Sequence, residues 1–148
     1  SLSSIFKALE EVGKYINIVF PVHLRTKENI KKSGLGKVAD SIKNLILTEP
    51  MGYLDFLNLV TNAKFVLTDS GGLQEETTVL GVPCLTLRDN TERPVTVWEG
   101  TNTLVGNNPE VIIAESRKIL DNKGKTGRTP SLWDGNAAER IVNILKSR

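Results

Sequence analysis

The chain has 148 residues, 39% of them hydrophobic and 24% charged, with 19 basic against 17 acidic side chains and a formal net charge of +2. That length suits one domain with a core that needs no staples, and so even a charge balance argues against nucleic-acid binding driven by bulk charge. One cysteine, Cys84, excludes an internal disulfide, and no apolar run reaches the roughly 18 residues that read as a membrane span, so a soluble, cytoplasmic protein is expected.

Apolar residues alternate between a helical and a strand period along the whole chain. Ile5, Phe6, Ala8, Leu9 and Val12 fall at helical spacing within 3–13, with Ser3 or Ser4 placed to cap the helix. Residues 16–20 are a short apolar, β-branched run stopped by Pro21, the pattern of a buried strand. The polar, basic stretch 26–42, interrupted by Gly34 and Gly36, predicts one or two short helices. A second strand follows at 44–48, then a helix over 53–63 with Leu54, Leu57 and Val60 on one face, and a third strand at 64–68.

A helix over 72–80 is stopped by Gly81, and residues 84–87 give a fourth strand. Pro94 suits the first position of a short helix to residue 99, residues 101–105 give a fifth strand, and 109–120 a longer helix. Lys, Gly, Thr and Pro mixed across 121–132 read as surface loop. The closing helix, 136–146, is amphipathic, with Ala137, Ala138, Ile141, Val142, Ile144 and Leu145 on its expected buried side. Strands separated by helices imply one doubly wound, mostly parallel α/β domain, Rossmann-like, covering 1–148. The chain opens at Ser1 without a methionine and enters a helical pattern at once, as an excised piece of a larger protein would.

In open α/β sheets ligands bind beyond the carboxyl ends of the strands. The most informative such segment is Thr68-Asp69-Ser70-Gly71-Gly72-Leu73-Gln74-Glu75-Glu76, where a strand ends, two glycines follow and a helix begins. Unpaired backbone N–H groups at the positive end of a helix dipole suit a phosphate, with Ser70 able to cap the helix or donate to a phosphate oxygen. A glycine-rich capped turn without a ligand fits the same local pattern. Glu76 shares a helix face with Gly72, so its carboxylate can accept from the hydroxyls of a ribose, while Glu75 and Glu76 equally suit the helix dipole.

Arg88 and Arg93 bracket a polar loop after the fourth strand, which suits an anionic or planar group, or a solvated loop with internal ion pairs. Phe56 can stack on a base or pack in the core. His23 stands at a strand end but is the sole histidine, without local partners for catalysis or metal binding. Cys84 sits in an apolar strand and reads as packing. No metal-ligand spacing occurs.

Together these segments resemble the C-terminal half of a non-hydrolysing UDP-N-acetylglucosamine 2-epimerase. The run from Leu67 to Glu76 matches that family's signature, followed by Gly81-Val82-Pro83 and by Arg88-Asp89-Asn90-Thr91-Glu92-Arg93-Pro94. Further matches are Phe20-Pro21-Val22-His23-Leu24, Glu49-Pro50 with Tyr53, Leu54 and Phe56, Glu99-Gly100-Thr101, and Asp134-Gly135 with Ala138 and Ile141. The resemblance implies one half of a GT-B-type fold, with the active site in the cleft between two Rossmann-like domains. It implies an enzyme that interconverts UDP-N-acetylglucosamine and UDP-N-acetylmannosamine by eliminating UDP and adding it back, with no cofactor and no metal.

By motif, Ser70, Gly71 and Gly72 would meet the diphosphate, Glu76 the ribose and Phe56 the uracil, with Arg93 also in the UDP site. His23 would touch a second, activating substrate molecule, although Leu24-Arg25-Thr26-Lys27 departs from the family's Leu-Asn-Pro. The family's acid/base carboxylates belong to its N-terminal domain, so no catalytic residue is expected here and this chain alone is expected to be inactive. Its implied partners are UDP, a UDP-N-acetylhexosamine, the N-terminal domain of the same protein and, at full length, a second copy. The donor half of a GT-B glycosyltransferase is the alternative enzyme. A receiver domain phosphorylated on Asp69 is the alternative outside enzymes, though it lacks the early acidic pair of receivers.

Overall fold

The computed structural model describes residues 2–147. In chain order the elements are α1 (Leu2–Val12), β1 (Ile18–Pro21), α2 (Leu24–Lys32), α3 (Gly36–Ser41), β2 (Leu45–Thr48), α4 (Tyr53–Thr61), β3 (Val66–Thr68), α5 (Gly71–Leu80), β4 (Cys84–Thr86), α6 (Pro94–Trp98), β5 (Asn102–Leu104), α7 (Pro109–Leu120) and α8 (Ala137–Lys146). The expected alternation of strand and helix is present throughout. The basic stretch resolves into two helices, divided where Gly34 adopts φ +73°, a conformation glycine tolerates without steric cost. Because α1 already begins at Leu2, Ser3 and Ser4 lie inside its first turn and neither stands at the cap position.

The described strands are all parallel but form two ladders, β1–β2 and β3–β4–β5. Side chains join them: Leu67 of β3 packs against both apolar clusters. The first cluster gathers Phe6, Leu9, Val22, Ile30, Ala39 and Ile42. The second gathers Ala8, Leu85, Val105, Ile112 and Ile119, so α1 serves both and α7 covers the second. Within each ladder the parallel register sets the carboxyl ends of the strands side by side, the turns after β1 and β2 in one and those after β3 and β4 in the other.

One expected apolar face is only partly buried and another is not buried at all. On α4, which packs on α5, Val60 is buried but Leu54 is 77% exposed. No residue of α8 is buried: Ile141, Val142, Ile144 and Leu145 are all exposed, and Ala137 and Ala138 with them. The contacts that hold α8 start come from Arg140, whose guanidinium reaches the Asp134 carboxylate and the Leu132 carbonyl. Periodicity fixed which side of this helix is apolar; burial depends on a neighbour, and no described element supplies one.

Candidate nucleotide-binding turn

The turn between β3 and α5 is shaped by Thr68, whose buried hydroxyl accepts the Ser70 N–H at 3.0 Å. This local bond turns the chain out of the strand and leads it into the helix. Ser70 occupies the cap position in extended conformation (φ −80°, ψ 128°), yet its side chain makes no capping hydrogen bond. Of the two roles open to Ser70, capping the helix is therefore not the one it takes. The N–H groups of the first turn, which a helix cannot satisfy internally, keep their outward orientation at the positive end of the dipole.

Glycine is not required at Gly71 or Gly72 for internal reasons. An added Cβ at Gly71 would lie 3.9 Å from Arg93 Cγ, and at Gly72 4.0 Å from Ser70 Oγ, both ordinary contacts. What the two glycines do is leave the first-turn amides uncovered. By contrast Gly81, which ends α5, stands at φ +71° and donates to the Thr77 and Thr78 carbonyls, a left-handed cap that favours glycine.

Arg93 stands closest to the turn. Its Nε lies 2.9 Å from Glu75 Oε1, a close ionic contact rather than an aligned hydrogen bond, and its Nη1 donates to the Glu92 carbonyl at 3.3 Å. Arg88 instead pairs within its own loop, with Glu92 Oε1 3.8 Å away, so of the two arginines only Arg93 faces the helix start. Glu76 is half-buried and lines a cavity of about 390 Å³ with Tyr53, Leu57, Glu75, Val79 and Trp133. Phe56 is half-buried on α4, the helix packed beside α5, and does not line that cavity.

The structure thus brings Gly71, Arg93 and Glu75 together, with Glu76 one step along α5. His23 belongs to the other ladder. It caps α2, its Nδ1 accepting the Arg25 N–H at a long 3.4 Å. Cys84 is fully buried; burial pushes its thiol upward in pKa, only partly offset by contacts with Thr77 and Thr86, which keeps it an unreactive packing group. Among the described residues no group of three or more His, Cys, Asp or Glu could hold a metal, and no helix is long and apolar enough to cross a membrane.

Periodicity gave no warning of the polar interior behind this turn. Gln74, Thr86, Thr96 and Asn102 are wholly buried and hydrogen-bonded to one another or to the Arg93 loop. Their one signal was polarity at positions where a buried strand or helix face is usually apolar.

The family model described as UDP-N-acetylglucosamine 2-epimerase matches residues 1–146. A UDP-N-acetylglucosamine 2-epimerase of Methanocaldococcus jannaschii is 46% identical over 144 residues, which are 97% of this chain and 38% of that protein. The enzyme of the same name from Escherichia coli K12 is 40% identical over 136 residues, 89% of this chain and 35% of that protein. A crystal structure of the M. jannaschii enzyme in complex with UDP-GlcNAc and UDP matches with a TM-score of 0.85 at 43% identity, covering 99% of this chain and 41% of that one. The chain therefore spans about two-fifths of the length of these relatives and shares their parallel α/β fold.

Proposed function

This chain belongs to the UDP-N-acetylglucosamine 2-epimerase family, and from that premise we propose that residues 1–148 are the UDP-binding domain of an enzyme that inverts C2 of UDP-N-acetylglucosamine. Family membership sets aside the glycosyltransferase and receiver readings. The carrying observation is the uncapped start of α5, with Gly71 and Gly72 leaving its amides open and Arg93 beside them. Amide donors on a fixed helix stabilise a diphosphate without reorganising, and the guanidinium adds charge-assisted bonds.

In this reading Ser70, Gly71 and Gly72 hold the diphosphate, Glu76 accepts from the ribose hydroxyls, and Phe56 stacks on the uracil. The complex of the M. jannaschii enzyme with UDP-GlcNAc and UDP supports a uridine nucleotide as the ligand. The same contacts serve the chemistry, because the turn that binds UDP in the sugar nucleotide also stabilises the pyrophosphate as it leaves C1. Removal of the C2 proton falls to groups outside these residues. The remainder of a longer protein supplies them, the full-length enzyme works as a cytoplasmic homodimer, and His23 is the residue that would contact a second, activating substrate molecule.

A thermal shift titration with UDP tests the reading. UDP in excess of its Kd raises the Tm of this chain, and the Ser70→Ala/Glu76→Ala pair diminishes the rise. An undiminished rise in the double variant means that UDP sits elsewhere. The chain itself should not interconvert the two UDP-sugars, and measurable epimerisation by the 148 residues alone would refute the division of labour.

A further inference from the structure

Arg93 is held at both its backbone N–H and its carbonyl by threonines that are themselves anchored in the protein interior. Its N–H donates to Thr91 Oγ1 at 2.9 Å, and its carbonyl accepts the Thr96 hydroxyl at 2.7 Å. Thr91 passes its one proton to Gln74 Oε1 at 2.6 Å. Thr96 accepts from Asn102 Nδ2 at 3.0 Å, and the same amide donates to Gln74 Oε1 at 3.0 Å. Thr86 fixes the far side of Asn102 by donating to its Oδ1 at 2.6 Å.

We propose that Gln74 and Asn102 are positioning residues that, through Thr91 and Thr96, set Arg93 against the start of α5 for the diphosphate. The proposal rests on UDP occupying that turn. The Arg93 N–H can only donate and its carbonyl only accept, so Thr91 has its one proton left for Gln74 and Thr96 has only lone pairs left for Asn102. Turning the Gln74 amide over alone would bring its NH₂ against the Asn102 NH₂, and turning Asn102 alone would set its Oδ1 against Gln74 Oε1 and against the Thr96 oxygen, whose proton goes to the Arg93 carbonyl.

Gln74 lies on α5, one turn beyond Gly71, so the spacing between the helix amides and Arg93 is set through one helical turn and two short hydrogen bonds. Directional contacts of this kind hold a group more narrowly than apolar packing, which tolerates sliding. Stability alone does not account for the choice. Gln74 is 0% exposed, yet its Nε2 has no hydrogen-bond partner, and an aliphatic side chain of similar volume would avoid burying that donor. The polar node is explained by the geometry it imposes on Arg93.

A double-mutant cycle on this chain, read as the Kd of UDP by calorimetry, provides the test. Arg93→Ala should weaken UDP by about 10- to 100-fold, the range of a charge-assisted hydrogen bond. Gln74→Leu and Thr91→Val should each weaken it by about three- to tenfold, with no further loss when combined with Arg93→Ala. Thr91→Ser, which keeps the hydroxyl, should restore the affinity. Thr91 is only partly buried, so its variants carry the test even where the Gln74→Leu chain does not fold.

A loss that persists undiminished in the Arg93→Ala background would mark a merely structural role and overturn the proposal. Wild-type affinity in Thr91→Val would overturn it as well. Arg93→Ala without effect, alongside a Ser70→Ala/Glu76→Ala pair that does weaken UDP, would sink the positioning role and leave the site standing. Indifference of both would sink the site itself.

Discussion

The two halves of the molecule, one around each parallel ladder, are built on the same plan and filled differently. Around β1 and β2 the interior is apolar, with Phe6, Leu9, Val22, Ile30, Ala39 and Ile42 meeting one another. Around β3, β4 and β5 an apolar cluster under α1 and α7 coexists with buried Gln74, Thr77, Thr78, Thr86, Thr96 and Asn102. Buried side-chain atoms without a hydrogen bond divide the same way among the described residues: Thr48 Oγ1 in the first half, against Gln74 Nε2, Thr78 Oγ1, Arg93 Nε, Thr101 Oγ1 and Ser116 Oγ in the second or its covering helix. Apolar packing supplies stability without fixing direction, whereas hydrogen bonds fix direction at a cost whenever one group goes unpaired. The polar half is the one that carries the proposed ligand.

The largest effect should come from the apolar half. Phe6 is 1% exposed, and Phe6→Ala should cost about 3–5 kcal/mol in urea denaturation, as large cavities do. UDP affinity per folded molecule should be unchanged by it. If Phe6→Ala altered that affinity as much as Thr91→Val did, the division between a stabilising half and a positioning half would fail.

A middle effect is expected where the surface strap after α7 crosses the corner between α6 and β5. A Cβ on Gly127 would sit 2.2 Å from the Gly100 carbonyl carbon, and one on Gly100 2.4 Å from Thr78 Oγ1 and 2.7 Å from the Thr96 carbonyl oxygen. Either alanine forces backbone apart and should lower stability by about 1–3 kcal/mol, visible as a lower Tm. Lys125 braces the same corner, its ammonium donating to the Val97 and Asn102 carbonyls. A Gly127→Ala chain with undiminished Tm would show that the strap is not tied down.

The smallest effect belongs to α8. Leu145 is 67% exposed, so Leu145→Gln should change the stability of this chain by no more than about 0.5 kcal/mol. A loss above about 1 kcal/mol would mean that the apolar side of α8 is covered.

The order and type of the elements were legible because each carries its own period and punctuation. Pro21 ends β1, Gly81 caps α5, and Pro94 and Pro109 open α6 and α7. The β3–α5 turn was legible for the same reason, since strand end, paired glycines and helix start lie within a few residues. Its capping was not: the side chain that shapes the turn is Thr68, acting on Ser70, rather than Ser70 acting on the helix. The separate tasks of Arg88 and Arg93 were equally hidden, because an arginine's partner depends on which carboxylate the fold brings near.

The amino-acid order alone determined the alternating α/β plan, the turns at the strand ends and the motif that places this chain in its family, because these are local patterns repeated along the backbone. Only the tertiary structure decided that α8 presents an uncovered apolar side and that Arg93 is fastened through Thr91 and Thr96 to Gln74 and Asn102. Burial and hydrogen-bond pairing are relations between residues distant in sequence. Gln74 and Asn102 stand 28 positions apart, and no period along the chain encodes their meeting.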